Sequence, residues 1–274
     1  MSPDREVRIV SETRPRVPLR RPGRPAAWRV FAAFSLSWMA VLLGSMVLTG
    51  CTGRILSFEE ELVVYSDMAN PPFSSWKGRR PVGIEVEILD DAARRLGKRD
   101  RWVQKRFTEL IPGVTNGDAD VAASTIGITP ERAELVAFSR PYFRTEIVAV
   151  VRDTPDAPES LRDLDGMPIG AGRGTTAVDA VTDAIRNPEL VLESRDGMEL
   201  DELLARGRID AVVLDAPAAR RMIEDADVPL RRLPEALGEE LYAFAVRHGE
   251  SGLLAAIDAA IRDRENAESA ENPR

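Results

Sequence analysis

The sequence predicts an α/β protein with largely parallel sheets, on three observations. Short apolar runs without helical period, such as Glu61–Ser66 (ELVVYS) and Glu146–Val151 (EIVAVV), alternate with segments whose apolar residues recur every three or four positions. Glycines and prolines punctuate the boundaries between them. The 274 residues are 44% hydrophobic, which supports a sizeable core and excludes disorder of the whole chain.

Each element follows from local pattern. Glu61–Ser66 reads as a buried strand. Asn70-Pro71-Pro72-Phe73 must turn or run extended, because two prolines prevent a helix. Apolar residues at Ile84, Ile88, Leu89, Ala92, Ala93 and Leu96 form a helical stripe that Gly97 stops. Alternation around Trp102–Phe107 predicts a strand, with Trp102 in the core. Glu109–Val114 is a short helix ended by Asn116-Gly117, and Asp120–Ser124 is a strand. Thr129-Pro130-Glu131-Arg132 opens a helix, with Thr as N-cap, Pro in the first helical position and Glu in the first turn.

Further along, Glu146–Val151 is a buried strand and Met167–Ala171 another. Gly170, Gly172 and Gly174 then lead into a helix near Thr176. Val191–Ser194 reads as a strand, Met198–Ala205 as a helix, and Ala211–Leu214 as a strand ending at Asp215, with a helix to about Glu224. Strands at Val228–Leu233 and Leu241–Val246 and a helix near Leu253–Ile261 complete the order. The polar stretch from Glu265 is expected to be frayed. Parallel sheets of this kind place ligands at the carboxyl ends of strands, so Ser124-Thr125, Gly172–Thr175 and Asp215 are site candidates on topology alone.

Composition narrows the chemistry. The single Cys51 excludes an intramolecular disulfide and a cysteine-rich zinc site, and the single His248 excludes a histidine-rich metal cluster. Eight arginines against three acids give residues 1–50 a net charge of +5; with a total of −8, the rest of the chain carries −13. A body this acidic repels phosphate backbones, so no nucleic-acid partner is expected. No nucleophile–base pair, phosphate-binding loop or metal spacing is present, and no cofactor is expected.

The N-terminal segment reads as an address. No charge lies between Arg29 and Arg54, and Val30–Leu48 is apolar enough to enter a bilayer as a helix. The basic side precedes it, which puts residues 1–29 in the cytoplasm and the body outside. The run ends Leu48-Thr49-Gly50-Cys51, which resembles the bacterial lipobox. That resemblance implies cleavage before Cys51, acylation of its thiol and new amine, and a firm membrane tether. A permanent signal anchor is the alternative reading.

The body resembles the extracytoplasmic amino-acid-binding proteins of ABC transporters. The matching segments are Pro71-Pro72-Phe73, VGIEVEIL at 82–89, ELIPGV at 109–114, NGDADV at 116–121, GITPER at 127–132, FSRPY at 138–142, Gly174-Thr175-Thr176, and GRIDAVVLD at 207–215. Each is weak alone; eight in the family's order are strong. The resemblance implies the two-lobed type II periplasmic-binding-protein fold. Residues 1–50 would be the signal peptide, 51–58 a tether, 59–264 the binding domain and 265–274 a disordered tail. Lobe 1 would hold about 59–148 and 242–264, and lobe 2 about 149–241. Ile147–Val151 and Tyr242–Val246 would be the crossover strands of a hinge that closes on the ligand.

The same resemblance implies the site. Arg132 matches the clamp on the ligand's carboxylate, a role suited to a guanidinium because it donates two parallel hydrogen bonds and stays charged. Asp215 matches the ammonium acceptor and is equally a good N-cap for the next helix. Gly174, Thr175 and Thr176 would offer backbone N–H groups at a helix start. Ser124, Thr125 and Gly127 match the loop that contacts both charged groups, with Gly127 where relatives often have serine. Phe73 and Asn70 are candidate ligand contacts, and Asn70 stands where many relatives carry an aromatic residue over the ligand side chain, which favours a polar ligand or one that is not an amino acid. Asp67 and Arg173 either touch the ligand side chain or are ordinary loop charges. The implied protein is a monomeric, non-enzymatic extracytoplasmic receptor, anchored through Cys51, that delivers an amino acid or similar small carboxylate to an ABC permease. The alternatives are an arogenate-dehydratase-like enzyme on this fold, with Glu85 or Glu109 as its acid, and a sensor or accessory domain.

Overall fold

In the computed structural model, residues 60–193 and 198–271 are described; the apolar run Val30–Leu48 and Cys51 lie outside them. Strand β1 (Glu61–Ser66) leads into a small antiparallel sheet of β2 (Ala69–Asn70), β3 (Ser74–Lys77) and β4 (Arg80–Val82). Helix α1 (Ile84–Arg95) and strand β5 (Arg99–Gln104) follow, then α2 (Phe107–Asn116), β6 (Val121–Ala122), α3 (Pro130–Leu135) and β7 (Ala137–Phe138). A long strand β8 (Phe143–Arg152) precedes β9 (Pro168–Gly172), α4 (Thr176–Ala184), β10 (Glu189–Glu193), α5 (Met198–Ala205), β11 (Ala211–Asp215) and α6 (Ala216–Asp225). The chain closes with β12 (Leu230–Tyr242), β13 (Ala245–Val246) and α7 (Ser251–Glu271).

The strands form two five-stranded sheets, ordered β5-β1-β6-β13-β7 and β10-β9-β11-β8-β12. We call each sheet with its helices a lobe. In the first lobe, Leu62 and Val64 face Ile88 and Leu89 of α1 and Ile257 and Ile261 of α7. Trp102 belongs to that core, as its sequence context predicts. The opposite face packs Ala122 and Ala245 against Leu110 and Val114 of α2. In the second lobe, the apolar stretch Ile147–Val151 of β8 is buried on both faces with period 2. Ile147, Ala149 and Val151 join Leu164, Val181 and Leu233 on one side; Val148 and Val150 join Leu204 and Ile209 on the other.

The chain passes between the sheets twice, from β7 to β8 and from β12 to β13. Ile147–Val151 pairs in register with β11, so it is part of the second sheet, and the first crossing lies upstream of the position expected from sequence. The crossing segments are tied together where Phe143–Thr145 pairs with Glu240–Tyr242. The two strands expected at 228–233 and 241–246 are instead one strand β12 followed by the short β13. β12 survives Pro234, which cannot donate to a ladder, by shifting register between Arg232 and Ala236 and again before Gly238.

α7 also continues past Ile261 into the polar stretch expected to fray. Arg264 pairs with Glu268 at 2.9 Å one turn on, and Arg140 reaches Glu265 at 2.8 Å. Among the described residues, no helix is long and apolar enough to cross a membrane.

Candidate functional site

A cavity of about 100 Å³ opens between the lobes. Phe107, Thr125 and Arg132 line it from the first lobe; Gly172, Thr175, Thr176 and Asp215 line it from the second. Ile147 and Glu240 contribute from the strands nearest the crossings, and Leu200, Val213 and Met222 supply apolar wall. The charged residues of this lining are therefore one arginine and two acids. A lining that mixes charged and polar groups with apolar wall suits a small solute with polar ends and an apolar stem.

Arg132 is placed by its helix start. Thr129 accepts the Arg132 N–H at 3.2 Å as N-cap, and Pro130 sits in the first helical position, as the sequence predicts. The guanidinium donates to the Gly127 carbonyl at 2.6 Å and, across the cleft, to the Gly174 carbonyl at 3.0 Å. It lies 5.5 Å over the ring of Phe107, near enough for cation–π attraction. Arg221 of α6 makes a second link between lobes, donating to the Pro71 carbonyl at 2.8 Å.

Asp215 closes β11 and opens α6. Its Oδ1 accepts the Ala218 N–H at 2.9 Å as the N-cap of that helix, and the residue also lines the cavity. Gly174 adopts φ +75°, a conformation that favours glycine, and presents its carbonyl to Arg132. Thr175 turns its hydroxyl back to the Gly172 carbonyl at 2.7 Å, while the Thr176 hydroxyl donates to Glu240 Oε1 at 2.5 Å.

Thr125 is held in the left-handed region at φ 46°, where a non-glycine residue costs about 1–2 kcal/mol. Glu85, fully buried, accepts its N–H at 2.7 Å and also receives the Tyr142 and Ser74 hydroxyls, each at 2.5 Å. Burial pushes the Glu85 carboxyl above its ordinary range despite these three donors. Glu85 thus positions Thr125 from behind and does not line the cavity. Glu109 is exposed, paired with Arg106 at 3.0 Å and held below the usual carboxylate range by it. Neither candidate acid of the enzyme reading reaches the cavity.

Asp67, Asn70 and Ser124 form a buried cluster outside the lining. The Asn70 amide donates to Asp67 at 2.8 Å and to Ser124 at 3.2 Å, and the Ser124 hydroxyl contacts Asp67. Asn70, at the position expected to carry an aromatic, is engaged in internal hydrogen bonds. Phe73 packs edge-on to Phe143 at 4.9 Å and to Tyr242 at 5.5 Å, in an aromatic cluster beside the crossings. Arg173 is exposed and reaches the Leu192 carbonyl at 3.4 Å.

Of the lining residues, Phe107 carries no warning in the local sequence, and Glu240 carries little. The only signal for Glu240 is its spacing of two from the buried Tyr242 on the same strand, which puts both on the inner face.

The sequence profile of the bacterial extracellular solute-binding proteins, family 3, matches residues 62–271. The chain belongs to that family. The L-arginine-binding protein of Pseudomonas aeruginosa is 27% identical over 231 residues, covering 80% of this chain and 88% of that one. The probable histidine-binding protein of Campylobacter jejuni is 27% identical over 175 residues, 64% of this chain and 67% of that one. An arginine-bound, truncated ArgBP from T. maritima superposes with a TM-score of 0.67 at 34% identity, covering 74% of this chain and 96% of that one. This family-3 protein therefore has the two-lobed α/β architecture of periplasmic binding proteins, and these relatives are named as amino-acid-binding proteins.

Proposed function

We propose that this solute-binding protein captures a free amino acid, or a similarly small polar carboxylate, between its lobes and presents it to an ABC permease. The observation that carries this reading is that Arg132 of the first lobe and Asp215 of the second line one cavity. An amino acid carries an anion and a cation on one carbon, so it needs a fixed cation and a fixed anion facing a common space. The guanidinium takes the carboxylate, with Thr125 and the Gly127 and Thr176 backbone beside it. Asp215 takes the ammonium. Asp67, Asn70 and Ser124 hold the first-lobe loop that carries Thr125.

Each half of the clamp belongs to a different lobe, so the ligand adds affinity only to the closed state and shifts the population towards it. The names of the relatives, which specify arginine and histidine, support an amino acid over other carboxylates. The lipobox resemblance at Leu48–Cys51 supports a tether through acylated Cys51 with the body outside the cytoplasm.

A thermal-shift screen of the purified protein against the amino acids, small amines and keto acids tests this. A ligand at 100 times its dissociation constant stabilises by about 2.7 kcal/mol, which is roughly 5–10 °C for a domain of this size. Silence across the whole panel overturns the reading.

A further inference from the structure

Arg221 bonds away from the acids nearest to it. It lies in α6, the helix that Asp215 caps. Asp225 is one turn on, at the spacing where an arginine and an acid share a helix face. Asp201 of α5 is near both. Burial, and then the like charge of Asp225, raise the Asp201 carboxyl above its ordinary range, and Arg221 offsets them only in part. The guanidinium pairs with neither acid. Among the described residues its hydrogen bonds cross the cleft, to the Pro71 carbonyl at 2.8 Å and the Ala69 carbonyl at 3.5 Å. Those acceptors are firmly held. Asn70, between them, is bonded through its amide to Asp67 and Ser124, and its carbonyl takes the N–H of buried Phe73 at 2.7 Å. Arg221 thus fixes α6, and with it Asp215, against a rigid turn of the first lobe.

We propose that Arg221 is a positioning residue with two seats, which sets how tightly the protein holds a ligand without touching it. With the lobes closed it donates to Ala69 and Pro71; as they part it returns to Asp225 and Asp201 on its own lobe. This rests on the reading that the ligand binds between the lobes. Arg221 does not line the cavity, so its bond favours closure whatever the ligand's side chain is. The two acids gain a cation only on opening, so they oppose closure. Apparent affinity scales with the closed fraction, which both effects move. A planar fork of donors suits two carbonyls in one seat and carboxylates in the other.

The test titrates the full chain with L-arginine and L-histidine, the amino acids named for two relatives. Arg221→Ala is expected to weaken both by one factor, about 5- to 30-fold, and to speed dissociation. Asp201→Asn with Asp225→Asn is expected to tighten both by about two- to fivefold, and to do nothing once Arg221 is alanine. A ligand-contacting Arg221 would change the arginine-to-histidine ratio, and a purely structural one would leave the effect of the two asparagines intact in its absence. Either result overturns the proposal, as does an Arg221→Ala protein that binds both probes like wild type. If neither probe binds, small-angle scattering without added amino acid decides separately from the amino-acid reading. A larger radius of gyration in Arg221→Ala than in wild type supports the latch, and an unchanged one overturns it.

Discussion

Arg132→Ala separates a binding role from a folding role. The substitution removes hydrogen bonds of 2.6 and 3.0 Å to the Gly127 and Gly174 carbonyls and the contact with the Phe107 ring. The guanidinium is only half-buried, so water replaces much of what is lost, and the stability cost is about 1–2 kcal/mol. For a domain of this size that lowers the melting temperature by roughly 2–8 °C. The binding cost is larger. A ligand carboxylate left without its partner in a closed cleft costs on the order of 2–5 kcal/mol, about a 30-fold to several-thousand-fold loss of affinity. Arg132→Lys keeps the charge but not the two-pronged donor, so it should recover only a small part of that loss. Calorimetric titration and thermal denaturation on the same preparations give both numbers. An Arg132→Ala protein that melts lower yet binds within about threefold of wild type would refute the assignment and make Arg132 a strut between lobes.

Three further outcomes follow from the same geometry, and a fourth from the N-terminal motif. Asp215→Asn keeps the cap on α6, because Asn caps as well as Asp, but removes the charge; stability should hold while affinity falls by about 30-fold or more. Asp215→Ala should lose affinity similarly and also about 1 kcal/mol of stability, read by denaturant titration. Glu85 has a folded pKa raised above its ordinary 4.5 by burial. Its contribution to stability is thus complete below that ordinary value and declines as pH rises through the folded one. Melting temperatures of wild type relative to Glu85→Gln should fall as pH rises from about 4.5 and then level off; a difference flat with pH contradicts the buried placement. Cys51→Ser should abolish processing and lipid anchoring, and a Cys51→Ser protein that still partitions into detergent as the processed form excludes the lipobox.

Much of the fold was legible because it is locally encoded. β1 announces itself by its alternating burial, α1 by its apolar stripe, β11 by its short apolar run, and α3 by Thr129-Pro130 at its start. The failures are where partners are distant in sequence. Pro234 reads as a break, but β12 continues through it because β8 offers a pairing edge on either side of the bulge. Ile147–Val151 looks like a free crossover until its pairing with β11 is seen. The polar stretch after Glu265 reads as frayed, yet Arg140, more than a hundred positions earlier, holds Glu265 against the body.

The site divides the same way. Arg132 and Asp215 are marked by helix starts at strand ends, which are local features. Glu85 sits in the first turn of α1, a position that suits an exposed acid, and only the tertiary structure shows it buried beneath Thr125. The closeness of Glu240 to Gly127 joins residues far apart in the chain and has no local trace.

The central claim is that both charged ends of an amino acid are gripped, one by each lobe. Its most direct measurement is a titration of the protein with the amino acid that stabilises it most, alongside that amino acid's α-methyl ester and its Nα-acetyl derivative. Each derivative removes one of the two charges and little else. The account predicts one-to-one binding of the free amino acid and a loss of at least about 30-fold for both derivatives, the ester answering to Arg132 and the acetyl form to Asp215. Binding of either derivative as tightly as the free amino acid would contradict it.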